Sequence, residues 1–148
     1  MKIIDVYMVE KNYREAYKVA KYTYELEPAY DVARDAYAQS AILVGDNETG
    51  SKILIERYGT DTPFDLAILQ VYADTKQYQK IIDTYERRII EKPDDIQSRV
   101  SLSVAYIKIG DRQSAIKTLQ EAIAYDPSLK AIGEKWIGEI RAGKLPSN

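Results

Sequence analysis

Apolar side chains recur every three or four residues along most of the chain, and polar residues, Gly or Pro interrupt the pattern at short intervals. Leu102 and Tyr106 fall on one helical face, Gly110 follows, and Ala115 and Leu119 begin a second face of the same kind. No stretch alternates apolar and polar residues for long enough to predict a strand. The pattern predicts nine helices, at residues 1–10, 13–26, 29–44, 47–58, 62–74, 78–91, 95–108, 112–125 and 128–142.

These helices fall into repeated units. Tyr72 and Tyr106 are 34 residues apart, and each is followed nine residues later by an aliphatic residue and twenty-one residues later by a proline. Tyr7 starts an equivalent set, and a shorter set starts at Ala41 with Gly50 nine residues later. The sequence therefore predicts a single domain, residues 1–148, with repeats at about 1–30, 31–61, 62–95 and 96–129 and a last helix at 128–142. Each repeat consists of a first helix, helix A, and a second helix, helix B.

Three turns carry residues that favour the start of a helix. Asp111 and Asp126 can each accept a hydrogen bond from an unpaired amide of the following helix. Thr62 is placed to do the same, with Pro63 at the first helical position and Asp65 near the positive end of the helix dipole. We therefore expect helices to begin directly after Thr62, Asp111 and Asp126.

The last repeat resembles the tetratricopeptide repeat (TPR), although Arg99 stands where that family has Trp. The resemblance implies an all-α fold, a right-handed superhelix of antiparallel helix pairs (an α-solenoid) with a C-terminal capping helix. It also implies a scaffold for protein–protein interaction. The residues that carry the resemblance are Leu102, Ser103, Tyr106, Gly110, Ala115, Leu119, Ala122 and Pro127.

The resemblance further implies where a partner would bind. In TPR proteins the A helices line a concave groove that holds a peptide or a partner domain. This groove is mostly apolar here and lacks the basic side chains with which some members hold an acidic chaperone tail, so we expect a peptide with apolar anchors and a basic end. The groove residues are Asp35, Gln39, Ile42, Leu66, Gln70, Val100, Val104 and Ile107.

Composition restricts the chemistry of the chain. There is no His and no Cys among the 148 residues, so a His-containing or Cys-containing catalytic triad and a zinc site with such ligands are excluded. We expect no catalytic residues, no bound metal, no cofactor and no enzymatic activity. The net charge of −2 gives no basic excess for a nucleic-acid backbone, so nucleic acid is not an expected partner.

The sequence supports further expectations about location and assembly. No apolar stretch approaches the roughly 20 residues that span a bilayer, so we expect a cytoplasmic protein or a soluble domain of a membrane protein. Repeat 1 begins at Met1, about one turn late for a complete first helix, so either the chain was trimmed from something longer or its N-terminal edge is unusually abrupt. Self-association at this edge is one expectation.

Two questions stay open from the sequence. The segment from Ile132 to Lys144 is similar to the ends of TPR tails on some bacterial membrane glycan polymerases and ligases, so a scaffolding or regulatory subdomain of a larger enzyme is the alternative function. The chain also has thirteen tyrosines, and the sequence does not decide whether some of them form a surface cluster.

Overall fold

The computed structural model describes residues 2–146, and every regular element in that range is helical. The all-α prediction is therefore confirmed for this part of the chain. The helices are α1 (Lys2–Val9), α2 (Tyr13–Leu26), α3 (Asp31–Val44), α4 (Asn47–Tyr58), α5 (Leu66–Asp74), α6 (Tyr78–Glu91), α7 (Ile96–Lys108), α8 (Arg112–Tyr125) and α9 (Lys130–Arg141), with a 3₁₀ turn (Pro127–Leu129) before α9.

The chain forms two compact units, residues 1–76 (unit 1) and 77–148 (unit 2). In unit 1, α2 packs against α1 and α3, α3 packs against α4, and α5 lies against α3. In unit 2, α7 packs against α6 and α8, and α9 packs against α8. Within each unit, a helix thus packs mainly against the helices next to it in the chain, as expected for stacked helical pairs.

Asp side chains start several of these helices. The carboxylate of Asp111 accepts a hydrogen bond from the Ser114 amide (3.0 Å), which confirms the predicted start of α8. Hydrogen bonds from the Ser114 amide and hydroxyl hold the pKa of the Asp111 carboxyl below its usual range. The predicted start at Thr62 is wrong. Asp65 provides the cap of α5 instead, because its carboxylate accepts from the amides of Ala67 (2.9 Å) and Ile68 (3.1 Å).

Two arginines in the second and fourth repeats, Arg34 and Arg99, each contact a proline carbonyl six residues earlier in the chain. Arg34 donates through Nε to the carbonyl of Pro28, and Arg99 donates through Nη1 to the carbonyl of Pro93, six residues earlier in each case. The Arg99 side chain is buried, and its guanidinium carbon lies 4.1 Å from the ring centroid of Tyr125. A planar guanidinium can both stack on an aromatic ring and hold a loop carbonyl. Arg99 thus joins the start of α7 to the end of α8.

Gly50 allows α4 to approach α3 closely. A Cβ atom built on Gly50 would lie 2.5 Å from Cγ1 of Ile42, well inside van der Waals contact. Gly138 in α9 is different, because a Cβ atom there would meet nothing within 4 Å. Gly50 and Gly138 therefore differ in whether a methyl group can be accommodated.

We expect Gly50→Ala to lower the free energy of unfolding by about 1–3 kcal/mol, since the added methyl overpacks the contact with Ile42. Gly138→Ala is the matched control. It should raise the free energy of unfolding by up to about 1 kcal/mol, because Ala has a higher helix propensity than Gly. Urea denaturation of both variants measures the difference. Equal stabilisation by the two substitutions would contradict the close approach of α3 and α4.

Candidate functional site

The groove residues predicted on α3 differ in how far they are exposed to solvent. Gln39 is partly exposed, but Ile42 is only 2% exposed and lies beside Gly50. The prediction that Ile42 lines an open groove therefore needs correction. The physical reason is the absent side chain at Gly50, which lets α4 enclose the Ile42 side chain.

Asp35 on α3 is engaged within unit 1. Its Oδ1 atom accepts a hydrogen bond from the Tyr58 hydroxyl (3.0 Å) and lies 3.6 Å from Nε of Arg57. Arg57 also pairs with Asp31 at 3.1 Å. Because Arg57 compensates these carboxylates, Asp35 contributes little net charge for attracting the basic end of a peptide.

The groove residues on α5 are both exposed. Leu66 is 74% exposed, and Gln70 donates a hydrogen bond to Asp74 on the same helix (2.8 Å). Leu66 is therefore an open apolar contact point, whereas the amide of Gln70 already has a partner.

The three groove residues on α7 come together at a cavity of about 180 Å³ in unit 2. Val104 is 47% exposed, and Val100 and Ile107 are partly buried. Helices α8 and α9 and the segment after α9 complete the walls. The lining consists of Val100, Ser103, Val104, Ile107, Leu119, Trp136 and Pro146.

A turn after α9 brings the end of the chain to this cavity. Gly143 has a φ of 78°, and the amide of Lys144 donates to the carbonyl of Glu139 (2.9 Å). A left-handed Gly followed by such a hydrogen bond is a common helix ending. The chain then continues to Pro146, whose side chain lines the cavity.

Sequence reasoning missed two residues of this site. Trp136 packs against buried residues around Ile137 and also lines the cavity. Apolar periodicity on α9 indicates burial for this residue, but it does not show that a buried side chain also lines a cavity. Pro146 could not have been found, since no sequence pattern indicated that the chain folds back after Gly143.

The chemistry of the cavity is apolar. Its lining contains no acidic or basic side chain. The Ser103 hydroxyl is used internally, because it donates to the carbonyl of Ala115 (3.0 Å). The site therefore fits an apolar side chain and offers no group for acid, base or nucleophilic chemistry.

Three tyrosines of unit 1 form a cluster around Tyr37, which is buried, so this group is not a surface cluster. The rings of Tyr17 and Tyr24 lie 5.4 and 5.3 Å from the ring of Tyr37. Their hydroxyls donate to Asp46 (2.9 Å) and Glu56 (3.1 Å) respectively. The cluster thus ties α2 to α3 and α4, and we assign it a structural role.

Between residues 2 and 146, no group of three or more acidic residues is arranged to hold a metal ion. Over the same part of the chain, no helix has the length and apolar character needed to cross a bilayer.

The packed helical pairs define the chain as a TPR-like, all-helical repeat fold. A solved structure described as "MamA RS-1 ArsTM double mutant" is similar to it, with a TM-score of 0.57 over 96% of this chain and 81% of that chain. MamA is a TPR-type protein. Sequence identity is 17%, so the likeness concerns the fold alone.

No family model and no curated protein matches the chain. The comparisons give no support to the likeness with glycan polymerase tails. The alternative function as part of such an enzyme therefore stays a hypothesis.

The Tyr58–Asp35 contact predicts a pH dependence. Burial, together with the hydrogen bond to Asp35, raises the pKa of Tyr58 to about 12. The folded state then holds this proton more tightly than the unfolded state, so the stabilisation is complete below about pH 10 and is lost as the pH rises to about 12. Asp35→Asn should lower the pKa of Tyr58 while leaving it above about 10, because burial persists.

Nuclear magnetic resonance (NMR) of ring-labelled tyrosine measures this pKa, with Tyr58→Phe to assign the resonance. An unchanged pKa in Asp35→Asn would contradict the contact.

Proposed function

We propose that this chain is a non-enzymatic interaction module that binds a short apolar segment of a partner protein at the α7–α9 cavity. The observation that carries the proposal is the position of Pro146, an apolar residue of a non-helical segment, against Val100, Val104 and Ile107. A non-helical apolar residue thus already packs against the wall that the proposed ligand would contact. The TPR-like fold supports the same role, since such folds serve protein–protein interaction.

The energetics favour an apolar ligand. Val104 keeps nearly half of its surface in water, and covering apolar surface stabilises a complex by roughly 25 cal/mol per Å². The cavity of about 180 Å³ is large enough for one apolar side chain, and neighbouring contacts on α7 would hold the flanking residues. A segment with one deep apolar anchor is therefore the proposed ligand class.

The residues predicted in unit 1 add less to the proposal. Asp35 is paired with Arg57, Ile42 is buried and Gln70 bonds within its own helix. Leu66 and Gln39 stay predictions for contact with a partner. We therefore place the main anchor in unit 2.

Val104→Glu should weaken binding about tenfold or more, because the new carboxylate would be desolvated against the ligand. Ile109→Glu is the matched control, since both side chains are 47% exposed and Ile109 lies outside the cavity lining. It should change affinity by less than about twofold. The probe is a synthetic amphipathic peptide with leucines at helical spacing and lysines between them, and calorimetry measures its affinity.

Circular dichroism of both variants checks that they remain folded. Equal loss of affinity in the two variants, or no loss in Val104→Glu, would overturn the proposed site.

The position of Pro146 at the cavity implies that the segment around Pro146 competes with a partner. A variant that ends at Lys144 should bind the same peptide about twofold to tenfold more tightly, because Pro146 no longer covers part of the apolar surface that the peptide would contact. Leu145→Ser is the control and should leave the affinity unchanged, since Leu145 is exposed and lies outside the cavity lining. Lower affinity in the shortened variant would show that the end of the chain assists binding.

A further inference from the structure

Helix α1 exposes apolar positions that are buried in every other repeat. Ile3 is 52% exposed, but its equivalents in the later A helices are at most 7% exposed. Val6 is 51% exposed, and its equivalents are at most 4% exposed. The equivalent residues are Tyr37, Ile68 and Leu102 for Ile3, and Ser40, Val71 and Ala105 for Val6.

In the later repeats, helix B of the preceding repeat covers this face of helix A when both helices belong to the same unit. On α3, Tyr37 is covered by Tyr17 and Tyr24 of α2, and α7 packs against α6 in the same order along the chain. On α1, Ile3 and Val6 occupy the equivalent positions and stay exposed in the part of the chain that the structure describes.

Helix α2 extends the same exposed edge. Val19 is only partly buried, although its equivalents Ile53, Thr84 and Thr118 are at most 5% exposed. Tyr22 is 63% exposed, and its equivalent in repeat 2 is Glu56, which contacts Tyr24 of the preceding repeat. We call Ile3, Val6, Val9, Val19 and Tyr22 the N-terminal edge.

Opposite charges lie at the two ends of this face of α1. The faces of two copies are therefore complementary in charge when the helices run antiparallel. Lys2 and Glu10 share the helical face centred on Val6, and the amide of Glu10 donates to the carbonyl of Val6 (2.9 Å), which continues the helix to that point. Two such helices packed antiparallel would place each lysine opposite the glutamate of the other copy. Val6 would then lie near the two-fold axis.

We propose that a second copy of this chain covers the N-terminal edge, with the two α1 helices antiparallel about a two-fold axis. An open head-to-tail chain is disfavoured, because α9 exposes Glu134 and Lys135 rather than an apolar match. The eight residues of α1 span about 12 Å, which is short for an interface of about 1,200–2,000 Å², so the α2 side chains must also contribute. The dimer is therefore expected to be weak, with a dissociation constant of about micromolar.

Sedimentation velocity over a range of concentrations tests the proposal on the chain of residues 1–148. The wild type should shift from monomer to dimer with increasing concentration. Val6→Glu should remain monomeric, whereas Val32→Glu, at a similarly exposed valine (48%) on α3, should dimerise like the wild type. Equal loss of dimer in both variants would overturn the assignment to α1.

A charge exchange tests the antiparallel arrangement. Lys2→Glu alone and Glu10→Lys alone should each weaken the dimer, although each substitution favours the α1 dipole and should not destabilise the helix. The double variant should recover the wild-type dimer, because the complementary pairs are restored with their signs exchanged. A double variant that fails to recover would contradict the antiparallel arrangement. A wild-type chain that stays monomeric throughout would overturn the proposal that a second copy covers this face.

Discussion

The structure depends on the close approach of neighbouring helices at small side chains. Ala16 and Ala115 are fully inaccessible, and Gly50 leaves no room for a methyl group beside Ile42. The Ser103 hydroxyl reaches the backbone carbonyl of Ala115 on the facing helix (3.0 Å), which is feasible only when the two backbones lie close together. Small residues at these positions let each helix bury one side against its partner and present another side to a further helix or ligand.

Both proposed interaction surfaces follow from this constraint. In unit 2, α8 packs against α7, and Val100 and Val104 lie on a side of α7 that Leu119, Trp136 and Pro146 only partly close. In unit 1, α1 packs against α2, and Val6 of α1 stays exposed to solvent. Apolar side chains at such places are costly to leave exposed, and a partner helix or segment removes that cost.

The helices were largely predictable from the sequence, because apolar periodicity and capping residues are local signals. The bounds of α8 agree with the prediction, whereas α5 begins at Leu66 because the Asp65 carboxylate caps it. Burial was harder to predict when it depended on a neighbour. Ile42 was predicted in the groove from its position on α3. It is enclosed by α4 instead, because Gly50 has no side chain that would hold the two helices apart. The part played by Pro146 depends on a non-local contact that no periodic pattern contains.

Trp136 offers the most direct measurement of the central claim, that partners bind at the apolar cavity beside α7. It is the only tryptophan in the chain and lines this cavity, so its indole N–H gives a single resonance from the site. Titration with the amphipathic leucine–lysine peptide should shift this resonance progressively to saturation, together with the amides of Val100 and Val104. Saturable binding of the peptide that leaves the indole resonance in place and shifts only amides of α8 would contradict the account.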